Sequence, residues 1–568
     1  MNNGAPLIAL LMSLMASAAF AHEHTKHAIF ASRQAPNETR VAAVNADSGR
    51  EPRTDGNQQI PHCRLTIELS DADTHKSLPG LIKITQSSTG QPLKLTEWIQ
   101  RDNDWYATKS PVEINLPQES FDIHALHGLQ REQATHRLNL VGKEQAHIRI
   151  ELKPFYNTAR RGLRGGNTHL HLMFRDSAGV TTNAQAIEYL QTVPRADNLD
   201  LVFLSYLRRI EAEKGYVTNA MVENDLFGGG DLQRLTQYGT LFCNGEEHRH
   251  NSGNGWAEGY GHVMLLDLVK LIRPVSIGAA IMGTGSDGIP LHRGIREARG
   301  DGGTIVWCHN SLGSEDIPNW AGGFVDAQNL FDGGEASAGD YDKSFYRYLN
   351  IGLRVPVSTG TDWFIYDFSR VYVPVEGEWT AKSWLEQLKA GRSFITNGPL
   401  LEFQLDNHQV GDMMQISRPT ELTVQARSVG RRDFKKIELI FNGQVVHSAI
   451  SRQQDQHYVA EMNQSVMIDR PGWWALRVPV DADKKNEFGH PIFAHTSPIY
   501  VDFDGRHVFD PDVANELIDE LRRDRDAIET TGLFDAETDR DTVLQVYEEG
   551  ILNLKTRLRS ALESAARR

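Results

Sequence analysis

The sequence predicts an α/β protein: a central domain built as an α/β barrel or a layered sheet, flanked by two β-sandwich modules and followed by a helical tail. Three observations carry this expectation. Between residues 156 and 400, apolar runs of strand length alternate with helix-like stretches, the pattern of repeated βα units. On either side, in 61–155 and 401–507, short alternating runs such as CRLTIELS, GLIKITQ and HIRIELKPF are separated by Gly, Pro, Asn and Asp clusters, as in small sandwiches. From 508 to 568 the chain reads as two charged amphipathic helices, roughly 511–529 and 539–565.

Residues 1–21, MNNGAPLIALLMSLMASAAFA, hold a short apolar core and end on Ala19-Phe20-Ala21, the small-x-small pattern of a signal-peptidase site, although Lys and Arg are absent before the core. An exported protein, periplasmic or secreted, is therefore expected. Residues 22–60 are polar and poor in large hydrophobes, the composition of a disordered linker. No later segment approaches the length of a membrane-spanning apolar run, so no span is expected in the mature chain. Three cysteines, Cys63, Cys243 and Cys308, are too few for a disulfide framework, and a Cys63–Cys243 bridge is left open. A net charge of −15 without a long basic block disfavours nucleic acid and anionic membranes and favours a small-molecule substrate.

The chemistry concentrates at the ends of apolar runs. In GNTHLHLMF, His169 and His171 lie two apart and so share one face of a strand, good geometry for gripping a cation; two hydrogen-bonded core histidines are the alternative. Asp176 follows in the expected strand-to-helix loop, as a ligand or as a turn cap. LFCNGEEHRH ends a strand on consecutive acids that repel unless neutralised, with Glu247 as the inward one and His248, Arg249 and His250 expected in a surface loop. GYGHVMLLDL puts His262 at the head of a strand, while IVWCH and STGTD deliver His309 and Asp362 at strand ends. If parallel strands converge at their carboxyl ends, these seven residues meet at one mouth. Imidazole mixed with carboxylate is the ligand set of zinc, manganese or iron centres; magnesium and calcium prefer oxygen throughout. Cys308 is expected on the opposite face, in the core.

With those residues in hand, the chain resembles the polymerase-and-histidinol-phosphatase (PHP) superfamily of metallohydrolases, and more narrowly its carbaryl-hydrolase-type CehA/McbA branch. The resemblance covers about Gly162 to Phe403 and rests on THLH with an aspartate five residues on, GEE, GHVMLLDL, IVWCH, STGTD and the ending LKAGRSFITNGPLLEF. It implies a distorted (β/α)7 PHP-type barrel with His169, His171, Asp176, Glu247, His262, His309 and Asp362 as metal ligands. Two positions depart from the family pattern. Tyr206 and Leu207 stand where a TDH is usual, and GTDWF puts Phe364 in place of the histidine of GSDAH. Two missing ligands imply one or two ions rather than three.

The implied activity is hydrolysis of an ester, amide or carbamate bond in a small molecule by metal-activated water. Asp362, Glu247 and Asp176 are candidates for accepting the water's proton, and His309 for standing beside the leaving group. Arg175, Arg249 and Arg392 are candidates for holding an anionic group. A PHP-type phosphoesterase is the rival within the enzyme class; a catalytically degenerate glycan- or ligand-binding protein is the rival outside it. Trp473-Trp474 is a candidate sugar platform, with one ring expected in the core because neighbours on a strand face opposite ways. A stripe of Leu544, Val546, Tyr547, Ile551 and Leu552 on the last helix would either cover the barrel or join a homo-oligomer.

Overall fold

The structure, a computed structural model, describes residues 61–96, 98–172, 183–252, 259–278, 285–310, 313–332, 341 and 344–566. The expected signal peptide and linker, and Arg175 and Asp176, lie outside the described residues.

Strand β1 (His62–Asp71) sits between β5 (Val112–Pro117) and β8 (Gln145–Leu152) in a three-stranded sheet. A five-stranded sheet faces it, in the order β3 (Ile99–Gln100), β4 (Tyr106–Thr108), β2 (Gly80–Gln86), β6 (Ser120–Leu126), β7 (Ala134–Asn139). The alternation in CRLTIELS turns Cys63, Leu65, Ile67 and Leu69 inward, where they pack with Ile82, Ile84, Phe121 and Ile123 of the facing sheet.

The central sheet runs in the order β9 (Leu163–His171), β10 (Leu201–Tyr206), β11 (Leu241–His250), β12 (Gly261–Leu266), β13 (Thr304–Trp307), β14 (Ala327–Asn329), β15 (Val357–Ser358). All six residues of β10, LVFLSY, are buried, as a continuous apolar run requires when both sheet faces are covered. Helices Asn183–Ala196, Val217–Leu226, Leu291–Gly300, Asp316–Ala321 and Phe345–Asn350 occupy connections between these strands. The hydrogen-bonded ladders are open, but residues 357–363 touch both ends of the series. They pair with β14 through β15 and with β9 through the parallel bridge β16 (Asp362–Trp363), where Asp362 opposes Leu170. Gly360 is required for this approach, because a Cβ there would lie 2.5 Å from the His169 Cβ and 2.6 Å from its backbone nitrogen.

The expectation that every ligand leaves the carboxyl end of a parallel strand fails at β12, which is antiparallel to both β11 and β13. Only residues 251–260 join β11 to β12, too few for the crossover that a parallel pair needs, so the chain turns straight back. The reversal puts the amino-terminal end of β12, with His262, beside the carboxyl ends of its neighbours.

On the other edge of β9 the ladder continues through β17 (Arg370–Pro374) and β18 (Phe394–Thr396) into strand Pro491–Thr496 of the C-terminal module. The central and C-terminal sheets are thus one hydrogen-bonded surface across residue 400. Strand Gly472–Lys485 lies between two cores: Trp473 is buried in one and Trp474 in the other, so neither ring offers a platform. The N-terminal module is tied in by Arg101, which donates two hydrogen bonds, of 3.0 and 3.1 Å, to the buried Asp197 carboxylate.

The tail forms helices Pro511–Thr531 and Glu537–Ala566. Asp510 caps the first, accepting from the backbone N–H groups of Asp512 and Val513, with proline in the first turn where no donor is needed. Val543, Val546, Tyr547, Ile551 and Leu554 of the second helix are buried in the central core, while Leu552 is 63% exposed. The apolar stripe therefore ends on Leu554 rather than Leu552, and its buried face docks within the chain. All three cysteines are free. Among the described residues, no helix is long and apolar enough to cross a membrane.

Candidate metal centre

The pleat of β9 sends Leu170 and Leu172 into the apolar core and His169 and His171 to the other face, where both rings are buried. Each ring has a defined orientation. His171 Nδ1 lies 3.1 Å from the Ser205 carbonyl oxygen, which can only accept, so Nδ1 carries the proton. His309 Nδ1 faces the Asp332 carbonyl in the same way at 3.1 Å, and His169 Nδ1 faces the Asp332 Oδ2 at 2.6 Å. These contacts turn all three Nε2 atoms towards the cluster, where each is a lone pair when its ring is neutral, the outer-shell arrangement that prepares a histidine to bind metal.

These lone pairs converge with carboxylates. His169 Nε2 and His171 Nε2 are 3.0 Å apart; Glu247 Oε2 lies 3.0 Å from the second and 3.7 Å from the first. Asp362 Oδ1 lies 3.4 Å from His169 Nε2 and 3.8 Å from His171 Nε2. The other oxygen of Glu247, Oε1, is 3.5 Å from His262 Nδ1, and His262, His309 and Glu247 form a second group within ligand reach of one another. Glu247 belongs to both groups and is suited to link two cation positions.

Glu247 Oε1, Asp362 Oδ1 and both ring nitrogens of His262 are buried without a hydrogen-bond partner. So many unpartnered polar atoms in one buried cluster are costly unless an ion or water satisfies them. The electrostatics agree. Burial works against a charged His169, yet the surrounding acids, Asp332 foremost, override it and push the ring well above its ordinary range, so that without an ion a proton supplies the positive charge that the carboxylates demand. Burial likewise opposes an ionised Glu247, but the neighbouring His169 and His171 rings, whose Nε2 positions are held by protons when no ion is bound, keep its carboxyl well below the usual range. His262 is pushed well down by burial and by the nearby Arg249 charge, and so stays a neutral ring with a free lone pair. The set fits a divalent transition metal by donor type, by orientation and by its need for positive charge. His309 and Asp362 both hold left-handed backbone, with φ of 55° and 58°, a strain of about 1–3 kcal/mol each that clusters at functional sites.

Six of the seven residues singled out in the sequence are thus brought together; Asp176 lies outside the described residues. One of these readings is corrected. His248, Arg249 and His250 are not surface loop, since β11 extends through them and all three are buried against β12 and its surroundings, with Arg249 opposite His262. Arg392 is engaged with Asp412 at 2.8 Å. Cys308 is buried as expected, but its thiol lies within ligand reach of His169 and Asp332. Strict alternation ends with β13 at Trp307, and the left-handed turn at His309 lets neighbouring residues approach the same cluster.

Asp332 had no sequence signal beyond an acid after an apolar run, yet it orients two of the histidines and is itself held by Asn329 Nδ2 at 2.9 Å. An Asp332→Ala substitution is expected to weaken metal affinity by roughly 10–100-fold, measured by competition with a chelating dye. Unchanged affinity would remove the orienting role.

No family model matches the chain, and no curated protein matches it. Among solved structures, the crystal structure of the C-terminal domain of shaft pilin SpaA from Lactobacillus rhamnosus GG matches at 15% identity, covering 16% of this chain and 98% of that one with a TM-score of 0.11. At that score the likeness bears on neither fold nor function.

Proposed function

We propose that the chain is a metal-dependent hydrolase acting with activated water on an ester, amide or carbamate bond of a small molecule. The observation that carries this reading is the convergence of three Nε2 atoms with the Glu247 and Asp362 carboxylates around points that a cation would satisfy. The resemblance to the PHP superfamily points the same way, and the barrel it implies is the reading we adopt for 156–400. Zinc, manganese or iron, one or two ions, would be held by His169, His171, Glu247 and Asp362, and by Glu247, His262 and His309.

A bound divalent cation supplies acidification of water and polarisation of the scissile group. The protein supplies the rest. Glu247, fully buried and kept ionised by its histidine partners, is suited to hold position rather than to move protons. Asp362, whose Oδ1 has no hydrogen-bond partner and which sits at the less enclosed side of the cluster, is the residue we assign to accept the water's proton. His309, half-buried with Nδ1 anchored on Asp332, stands where a leaving group would depart. Trp363 packs on His171 at 4.7 Å and on Tyr216 at 5.3 Å, so the side of the cluster at β16 is apolar.

The test is a panel of acyl esters, amides, carbamates and phosphoesters, assayed with protein stripped of metal and then reloaded with zinc, manganese or iron(II). Metal-restored turnover of an acyl substrate is the expected result. Preference for p-nitrophenyl phosphate would shift the reading to a phosphoesterase, for which the buried Arg249 opposite His262 is the relevant cation. No turnover on any of them, with ligand binding retained, would favour a binding protein.

A further inference from the structure

Among the described residues, the C-terminal helices make polar contacts beside the cluster, at the edge formed by β11 and β12. The loop between them pairs with Asp287: the Asp287 N–H donates to the Leu533 carbonyl at 2.7 Å, and the Leu533 N–H donates to Asp287 Oδ2 at 2.8 Å. The other carboxylate oxygen of Asp287 lies 3.2 Å from Nε2 of His250, the last residue of β11. The Asp287 carbonyl accepts the Tyr260 hydroxyl at 2.5 Å, and the Tyr260 ring stacks on His250 with centroids 3.8 Å apart. His250 Nδ1 in turn accepts the Tyr260 N–H at 3.1 Å, which joins the end of β11 to the start of β12. A second tie comes from the last helix, where the Tyr547 hydroxyl bonds Ser314 Oγ at 2.6 Å. Ser314 and Glu315 donate backbone N–H groups to the carbonyls of Gly259 and Tyr260 at 3.1 and 3.0 Å.

These contacts hold the end of β11, which carries Glu247, and the start of β12, which carries His262. His169, His171 and Asp362 belong to β9 and β16 and are held from elsewhere, by Ser205 and by the close pass at Gly360, while Asp332 anchors both His169 and His309. We infer that Asp287 is a positioning residue through which the docked C-terminal helices fix the position formed by Glu247, His262 and His309, leaving the position formed by His169, His171, Glu247 and Asp362 to the β9 side. This rests on the reading of the cluster as a metal centre and assigns different supports to its β11–β12 edge and its β9 edge.

The experiment is equilibrium dialysis of the full chain against buffered zinc, with metal per chain measured by inductively coupled plasma mass spectrometry and folding followed by circular dichroism. Wild type is expected to take up two ions. Asp287→Ala is expected to retain one at wild-type affinity and to bind the other about 10-fold more weakly, the lower edge of an outer-shell loss, because Asp287 acts one residue further out through His250. Tyr547→Phe, which keeps the ring and removes only the hydroxyl, is expected to weaken the same ion to a smaller extent and serves if Asp287→Ala does not fold. Both ions unchanged, or both weakened together, in a folded variant overturns the assignment. Wild type holding a single ion also overturns it but leaves the metal centre standing, whereas wild type holding none removes the centre itself.

Discussion

A Glu247→Gln variant is expected to lose both metal binding and turnover while remaining folded. Glu247 is the residue common to both ligand groups, and its side chain is fully buried between His171 and His262. Glutamine preserves the shape but removes the negative charge and replaces one oxygen by an NH2, which turns a donor towards lone pairs that need a cation. Losing an outer-shell partner costs roughly 10–100-fold in affinity, so losing a ligand shared by two positions is expected to cost more than about 100-fold. Stability provides an independent readout. A cation present at 100 times its dissociation constant stabilises the fold by about 2.7 kcal/mol, so chelator should lower the unfolding midpoint of wild type and leave that of the variant unmoved. A variant that keeps wild-type metal content would show that Glu247 is not a ligand.

The second large effect is structural. Arg101→Ala is expected to destabilise the chain by about 3–5 kcal/mol, because it strands a charge in the interior. Both partners of the Arg101–Asp197 pair are almost fully enclosed, with side-chain exposures of 2% and 0%. Arg101 also lies over the Phe488 ring, 4.6 Å from its centre, so one guanidinium joins the N-terminal module, the central domain and the C-terminal module. Removing both charges, as in Arg101→Met with Asp197→Leu, should recover much of the loss, since a buried ion pair replaced by apolar side chains of similar volume is often close to neutral. Urea unfolding of the single and double variants measures this; a single variant within about 0.5 kcal/mol of wild type, the range of an ordinary surface change, would contradict it.

The candidate ligands were legible in the sequence because each is a polar residue at the end of an apolar run, where strand geometry fixes its direction. His169 and His171 show this most simply, since a two-residue spacing decides their common face. His262 was found by the same pattern although β12 runs opposite to its neighbours; a residue at the head of an antiparallel strand arrives at the same edge as residues at the tails of parallel ones. What stayed hidden depends on distant partners. Asp332 matters because of rings 163 residues away at His169 and 23 residues away at His309, and nothing local to it marks that role. Arg101 and Asp197 are 96 residues apart and read separately as ordinary charged residues. The HRH segment reads as loop because it is polar, yet pairing with β12 carries the strand through it and the surrounding elements bury it. Trp473 and Trp474 failed the one-in, one-out expectation because their strand has a core on each side, a property of the layering and not of the local pattern.

The central claim is that these converging acceptors exist to hold a cation. Anomalous diffraction from crystals of chelator-free protein, collected across the zinc, iron and manganese edges, addresses it directly. The account predicts a strong anomalous peak enclosed by His169, His171, Glu247 and Asp362, with a second beside Glu247, His262 and His309. Ordered water in both positions, with no anomalous signal in protein crystallised from metal-supplemented solution, would contradict it.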